Sequence, residues 1–156
     1  MITLHEAVPS FSVQATDGQH IDLSALKGKN IVLYFYPKDN TPGCILEGRQ
    51  FRDLYDEFQK HETEIIGVSR DSLASHEKFK CLYTFPFPLV SDKDEQLCTL
   101  FNVIKEKSMF GKKVRGIQRS TFLINKEGLL IAEWRKVSVL GHAKKVLDTL
   151  IAQKNG

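Results

Sequence analysis

Six consecutive apolar residues, Ile31-Val32-Leu33-Tyr34-Phe35-Tyr36, constrain the fold of this chain more than any other stretch. Side chains of a strand alternate between two faces, so a strand with no polar residue on either face predicts a sheet buried on both sides. Its cover has to come from the flanking segments. Phe51, Leu54, Tyr55 and Phe58 recur at helical spacing within 44–60, and a second helical stretch runs over 73–83. A short one covers 93–100 behind the cap candidates Ser91 and Asp92, and a last one covers 141–153 with Val146, Leu147, Leu150 and Ile151 on one face. Strand-like runs occupy 64–69, 87–90, 120–125 and 129–134, the last two joined by Lys126-Glu127-Gly128. Ahead of the apolar strand, 11–15 and 20–23 flank Thr16-Asp17-Gly18-Gln19 and read as a hairpin. This order predicts an α/β fold, a central mixed sheet with helices on both faces. With 156 residues and no repeat, linker or low-complexity segment, one domain spanning 1–156 is expected.

Composition removes several function classes. A chain that is 42% hydrophobic and 26% charged is globular rather than disordered. No apolar run approaches the ~18 residues of a membrane span, and Met1-Ile2-Thr3-Leu4-His5-Glu6 lacks the layout of a secretory signal. A cytoplasmic protein with no membrane partner is therefore expected. Lys and Arg number 22 against 19 Asp and Glu, a net charge of +3 that is too mild for a nucleic-acid binder unless the positive charges cluster. The densest stretch, 105–115, reads as a solvated loop, so no nucleic-acid partner is expected.

Three cysteines in a reducing compartment do not make a disulfide framework. Cys44, Cys81 and Cys98 offer no Cys-x-x-Cys pair and the five histidines add no ligand spacing, so no metal and no other cofactor is expected. The chemistry concentrates in Tyr36-Pro37-Lys38-Asp39-Asn40-Thr41-Pro42-Gly43-Cys44. Pro37 ends the strand because it has no N–H for the ladder. Thr41 and Pro42 read as the N-cap and first residue of a helix, which puts Cys44 at its third position. There the unsatisfied backbone N–H groups and the positive end of the helix dipole favour thiolate, the nucleophilic form. The site also lies past the carboxyl end of a central strand, where open α/β sheets bind ligands. A phosphatase loop would place an arginine six positions after the cysteine, where Gln50 stands, and the nearest histidine, His61, falls at the far end of the same helix.

Pro37-x-x-x-Thr41-x-x-Cys44 resembles the peroxiredoxin signature, and the run from Tyr34 to Cys44 is similar to the bacterioferritin-comigratory, or peroxiredoxin Q, subfamily. The resemblance continues through Glu47-Gly48, Phe51-Arg52-Asp53, 85–92, 116–124 and 134–137. It implies a thioredoxin-like fold with an added N-terminal β-hairpin. The implied activity is a thiol-dependent peroxidase acting on hydrogen peroxide and organic hydroperoxides, recycled by thioredoxin or a similar dithiol, with a monomer as the family default. Cys44 is then the peroxidatic nucleophile, which attacks the terminal hydroperoxide oxygen and becomes a sulfenic acid. Arg119 supplies charge-assisted donors to sulfur and peroxide, Thr41 a hydroxyl that both accepts from and donates to the peroxide, and Pro37 a cover against water. Glu47, one turn after Cys44, either orients Arg119 or the substrate, or lies exposed as an acid that favours the helix dipole.

The chain departs from one common pattern of the subfamily. Many members carry a resolving cysteine five positions after the peroxidatic one, and here that position is Arg49. Another branch carries it in the following helix, where Cys81 falls, implying a Cys44–Cys81 disulfide. The alternative is a one-cysteine enzyme with an inert thiol at 81. Cys81 stands near the far end of its helix, more than ~10 Å from the sheet edge that carries Cys44, so oxidation requires unwinding of the first helix, the second, or both. Cys98, beside Leu97 and Phe101, reads as a core residue. A thiol–disulfide oxidoreductase would need a second cysteine within a turn of Cys44, and 41–47 hold none. A redox sensor without turnover shares every residue named and is separated only by kinetics.

Overall fold

The computed structural model describes residues 2–155, so Met1 and Gly156 of the expected 1–156 domain lie outside the described residues. In chain order the elements are β1 (Ser12–Gln14), β2 (His20–Asp22), β3 (Asn30–Phe35), α1 (Pro42–Asp53), α2 (Tyr55–Lys60), β4 (Thr63–Ser69), α3 (Leu73–Tyr83), β5 (Leu89–Ser91) and α4 (Gln96–Leu100). They continue with β6 (Ile104–Met109), β7 (Lys112–Ile117), β8 (Ser120–Ile124), β9 (Leu130–Arg135) and α5 (His142–Asn155). β1 and β2 form the expected antiparallel hairpin. Asp17 and Gly18 at its turn take φ of 60° and 68°, the pair of left-handed residues whose twist suits a two-residue hairpin loop.

The main sheet has the order β5-β4-β3-β8-β9, with β3, β4 and β5 parallel and β8 and β9 antiparallel to their neighbours. All six residues of β3 are buried, and their alternation divides the interior in two. Ile31, Leu33 and Phe35 point into a cluster with Val13, Ile21, Leu97 and Phe101, so the N-terminal hairpin and α4 cover that face. Val32, Tyr34 and Tyr36 point into a second cluster with Cys44, Phe51, Phe58, Phe79, Val146 and Leu150, which places α1, α2, α3 and α5 on the other face. The mixed sheet with helices on both faces is the architecture that the unbroken apolar strand required.

Three details differ from expectation. The helical stretch 44–60 is two helices, broken at Leu54 (φ −101°, ψ 5°). The apolar period runs across the break because Phe51 and Phe58 both stay fully buried against the same cluster. α4 starts later than 93 because Glu95 takes a left-handed conformation (φ 60°), although Asp92 does cap it, accepting from the backbone N–H groups of Leu97 (3.0 Å) and Cys98 (2.8 Å). The basic stretch at 105–115 is a regular antiparallel hairpin, β6 with β7, rather than a loop. It buries almost nothing, so no hydrophobic alternation announced it; the left-handed Phe110 and Gly111 close it.

α1 is seated against the rest of the helical layer through Gly48. A Cβ there would lie 2.4 Å from Phe85 Cζ, and the Phe85 ring cannot swing away, being stacked on Phe87 (5.3 Å) and edge-on to Phe79 (5.0 Å). Gly48→Ala should therefore destabilise the protein by about 1–3 kcal/mol through overpacking. Denaturant unfolding checks this, and an unchanged midpoint would contradict the packing described.

Candidate active site

Cys44 is carried to its position by the end of β3. The ladder with β4 and β8 stops at Phe35, Pro37 follows in the exposed connection, and α1 begins at Pro42 with Thr41 in extended N-cap geometry (φ −101°, ψ 153°). Cys44 is thus the third helical residue, as its spacing predicted, and is only 2% exposed. The Thr41 hydroxyl, however, makes no capping bond to the helix; it donates to the Lys38 carbonyl at 2.8 Å. The helix start is set instead by Pro42 and by the backbone bond from Ile45 N–H to the Thr41 carbonyl (2.8 Å). With its proton directed at Lys38, Thr41 Oγ1 keeps its lone pairs free to accept a hydrogen bond from a ligand.

The sheet delivers the partner. β8 lies antiparallel to β3, with Phe35 opposite Ser120 as the last pair. One residue before that pair, Arg119 stands at the edge where β3 hands over to the Cys44 loop. Its Nη2 donates to Cys44 Sγ at 3.5 Å and its Nη1 to Glu47 Oε1 at 2.7 Å. Gly43 makes room for this approach: a Cβ there would sit 3.0 Å from Arg119 Nη2. Sequence reasoning passed over Gly43, since the close approach involves a residue 76 positions away.

Glu47 is fully buried, which removes the reading of an exposed acid, and its Oε2 has no hydrogen-bond partner. Burial lifts its carboxyl to about 7, the Arg119 charge and hydrogen bond offsetting only part of that cost. For Arg119 burial acts to lower the guanidinium pKa, yet the Glu47 carboxylate and the Cys44 sulfur outweigh it and hold the group above its ordinary value. On the helical face of the sheet, the same face as Cys44, His142 Nε2 bonds Thr121 Oγ1 at 2.8 Å, and burial, with Lys145 and Arg119 nearby, holds the ring neutral down to about pH 4.

Cys81 is not brought to Cys44. It occupies the ninth position of the eleven-residue α3, is solvent-exposed, and like Cys44 and Cys98 is a free thiol. Cys98 is a fully buried core residue, and burial first, then Asp92, pushes its thiol far above the ordinary range. One cluster of potential metal ligands occurs among the described residues, Asp39, Asp71 and His76, with ligand atoms within 4.8 Å of one another. These atoms are occupied by protein hydrogen bonds: His76 Nδ1 to Asp39 Oδ2 (2.7 Å), His76 Nε2 to the Val90 carbonyl (2.9 Å), and Asp71 Oδ2 to Asp39 N–H and Ser69 Oγ. Among the described residues no helix is long and apolar enough to cross a membrane.

This arrangement sets a buried sulfur among hydrogen-bond donors. A cation and a helix N-terminus converge on a sulfur that is shielded from water, and the guanidinium keeps further N–H donors for an oxygen brought against that sulfur. Residues 4–133 match the AhpC/TSA family. Peroxiredoxin Bcp of Xanthomonas campestris pv. campestris is 50% identical over 152 residues, covering 97% of this chain and 95% of that protein. Peroxiredoxin Bcp of Bacillus subtilis is 48% identical over 149 residues, covering 96% and 95%. Among solved structures, a cysteine-to-serine mutant of Xylella fastidiosa PrxQ superposes with a TM-score of 0.94 at 41% identity, covering 99% of this chain and 98% of that one. The bacterioferritin comigratory protein of Xanthomonas campestris, solved as trapped intermediate and ligand complexes bearing on its alkyl peroxide reduction activity, gives 0.88 at 51% identity, covering 92% and 91%.

The burial of Glu47 has a pH consequence. Its folded pKa of about 7 lies above the ordinary 4.5, so between those values the folded state holds the extra proton. The group's contribution to stability is therefore full below about pH 4.5 and declines as pH rises to 7. Glu47→Gln is neutral throughout and removes that decline. Unfolding free energies of the two proteins at pH 5 and pH 7 should diverge, the natural protein losing more; parallel changes would contradict the buried acid.

Proposed function

The chain belongs to the AhpC/TSA family and is a thiol-dependent peroxidase, and we propose that Cys44 is its peroxidatic nucleophile, with Arg119, Thr41 and Pro37 completing the site, Glu47 orienting Arg119, and Cys81 resolving the oxidised sulfur. The observation that carries this reading is the guanidinium of Arg119 held between Cys44 Sγ and Glu47 Oε1. The guanidinium donates to the sulfur and lies beside it as a positive charge. Glu47 takes one end of the planar group and so directs the other at the sulfur. The thiolate attacks the terminal oxygen of the hydroperoxide, the O–O bond breaks, and the remaining N–H donors of Arg119 meet the negative charge developing on the departing oxygen, which leaves as water or an alcohol once protonated. Thr41 Oγ1 accepts from the peroxide O–H and holds it in line. Pro37, at the mouth of the loop, restricts water around the sulfenic acid.

The substrates are hydrogen peroxide and organic hydroperoxides. In the second half of the cycle the Cys81 sulfur attacks Cys44, the S–S bond forms, and the sulfenic oxygen leaves as water. A dithiol protein of the thioredoxin kind then reduces the disulfide, two electrons per turnover. Both thiols come from one chain, which supports a monomer as the working unit. Three free thiols, one of them exposed, support the cytoplasm as its compartment.

Steady-state peroxide consumption with a thioredoxin system tests these roles. Cys44→Ser should abolish turnover and Cys98→Ser should leave it nearly intact. Cys81→Ser should oxidise once and then accumulate sulfinic acid at Cys44, visible by mass. Arg119→Lys keeps the charge but loses the planar fork that serves Glu47 and sulfur together, so its rate should fall by about 100-fold or more, the size seen when a preorganised transition-state donor is removed. Turnover in Cys44→Ser, or full rates in Arg119→Lys, would overturn the assignment.

A further inference from the structure

Phe110 stands at the tip of the β6–β7 hairpin with 99% of its surface in solvent, beside the exposed Met109 and Val114. The register decides which side chains share a face. Met109 pairs with Lys112, Ser108 with Lys113, Lys107 with Val114, Glu106 with Arg115 and Ile104 with Ile117; paired residues project to one side of a two-stranded ribbon and successive pairs alternate. The face that carries Ile104, Ile117, Glu106 and Arg115 is turned to the body of the protein. Ile117 is buried and Ile104 packs on the core cluster. Arg115 donates through Nη1 and Nη2 to Glu95 (2.5 and 2.6 Å), which also accepts from Arg70 Nη1 (3.1 Å). The opposite face carries Met109, Lys112, Lys107, Val114 and, half-buried at the base, Lys105, with no acid among them. Among the described residues no carboxylate pairs with Lys105, Lys107, Lys112 or Lys113. Phe110 (φ 53°) and Gly111 (φ 75°) form the two-residue loop. Asn or Gly takes the first of these left-handed positions at low cost, and a bulky aromatic does not. Neither the turn nor the core accounts for this ring, which the hairpin holds out among unpaired lysines.

We propose that the β6–β7 hairpin docks on an anionic lipid surface, with Phe110 and Met109 entering the boundary between headgroups and acyl chains while Lys107, Lys112 and Lys113 lie against the lipid phosphates. The dimensions agree. These lysines stand two or three residues from Phe110 along the strands, about 7–10 Å at ~3.3 Å per residue. Interfacial elements bury their apolar side ~5–10 Å deep, so the ammonium groups come level with the phosphates when the ring is seated. Charge complementarity selects this occupant. Each lysine near an anionic leaflet raises affinity about fivefold, and burial of the ring adds about tenfold or more. A nucleic-acid strand would want a groove with aromatic platforms in series, whereas here one ring projects from a convex tip. The bonds of Arg115 and Arg70 to Glu95 brace the hairpin against the body, so the tip is presented already ordered. Such contact is peripheral and needs no spanning segment, whose absence was the ground for expecting no membrane partner. No residue of the docking face belongs to the Cys44 site, so the proposal is independent of the roles assigned there.

Vesicle sedimentation of the full, reduced chain tests this with two lipid compositions, phosphatidylcholine alone and phosphatidylcholine mixed with phosphatidylglycerol in equal parts. The expected result is binding to the mixed vesicles that weakens as salt is raised, and none to phosphatidylcholine alone. Phe110→Asn should lower affinity for the mixed vesicles by about tenfold. Lys107→Gln and Lys112→Gln together should lower it by about 25-fold and flatten the salt dependence. Asn ahead of Gly is the pair this turn prefers, so loss of binding in Phe110→Asn is not loss of the hairpin. Peroxide consumption in solution should stay at the natural rate in both variants. Absence of binding to the mixed vesicles, or equal binding by Phe110→Asn and the natural protein, would overturn the proposal. Tighter binding to a labelled single-stranded oligonucleotide than to the mixed vesicles would overturn it too, marking the hairpin as a nucleic-acid contact.

Discussion

Everything at this site turns on one guanidinium. Arg119 is the cation against the Cys44 sulfur, the partner of a fully buried carboxylate, and the link between two strands whose ends meet at one edge of the sheet. A charge in this position is costly to bury, and it is tolerated because each side of it has a function: Glu47 compensates it, Cys44 uses it, and 16% of the side chain still reaches solvent. The antiparallel pairing of β3 with β8 is what makes the meeting possible. The loop to Cys44 leaves the carboxyl end of one strand just where Arg119 enters the amino end of the other.

The rest of the fold serves to hold this meeting in register. Tyr34 and Tyr36 fill the helical side of the sheet beneath Cys44, with Tyr34 stacked on Phe51 of α1 (4.7 Å). Gly43 and Gly48 let α1 approach the guanidinium on one side and Phe85 on the other. Asp39 fixes the loop that leads into the helix. The helix start itself has no side-chain cap and relies on Pro42, so the element that holds the nucleophile is rigidly anchored on both flanks and comparatively weak in its first turn.

Much of this was legible in the amino-acid order. The apolar run at 31–36 demanded a sheet covered on both faces, and Thr41-Pro42 placed Cys44 three residues into a helix, because strand alternation and helix-start chemistry act over a few residues. What stayed hidden depends on tertiary approach. Gly43 and Gly48 stood in the sequence only as members of motif strings, because the groups they make room for, Arg119 and Phe85, come from distant segments. Glu47 could be read as exposed or buried until the sheet register put Arg119 beside it. The β6–β7 hairpin escaped because its side chains face solvent, leaving no periodic pattern to read. Asp39 lay inside the Tyr34–Cys44 motif with no role of its own and His76 in none, since their pairing joins a loop to a helix 37 residues later.

The mechanism stands or falls on transfer of the peroxide oxygen to Cys44 and to no other sulfur. Treating the reduced protein with less than one equivalent of hydrogen peroxide in the presence of dimedone, which alkylates sulfenic acids, and mapping the adduct by tandem mass spectrometry measures this directly. The adduct is predicted on Cys44 alone, in the natural protein and more abundantly in Cys81→Ser, where the sulfenic acid has no internal thiol to meet. A first adduct on Cys81 or Cys98, with Cys44 unlabelled, would contradict it.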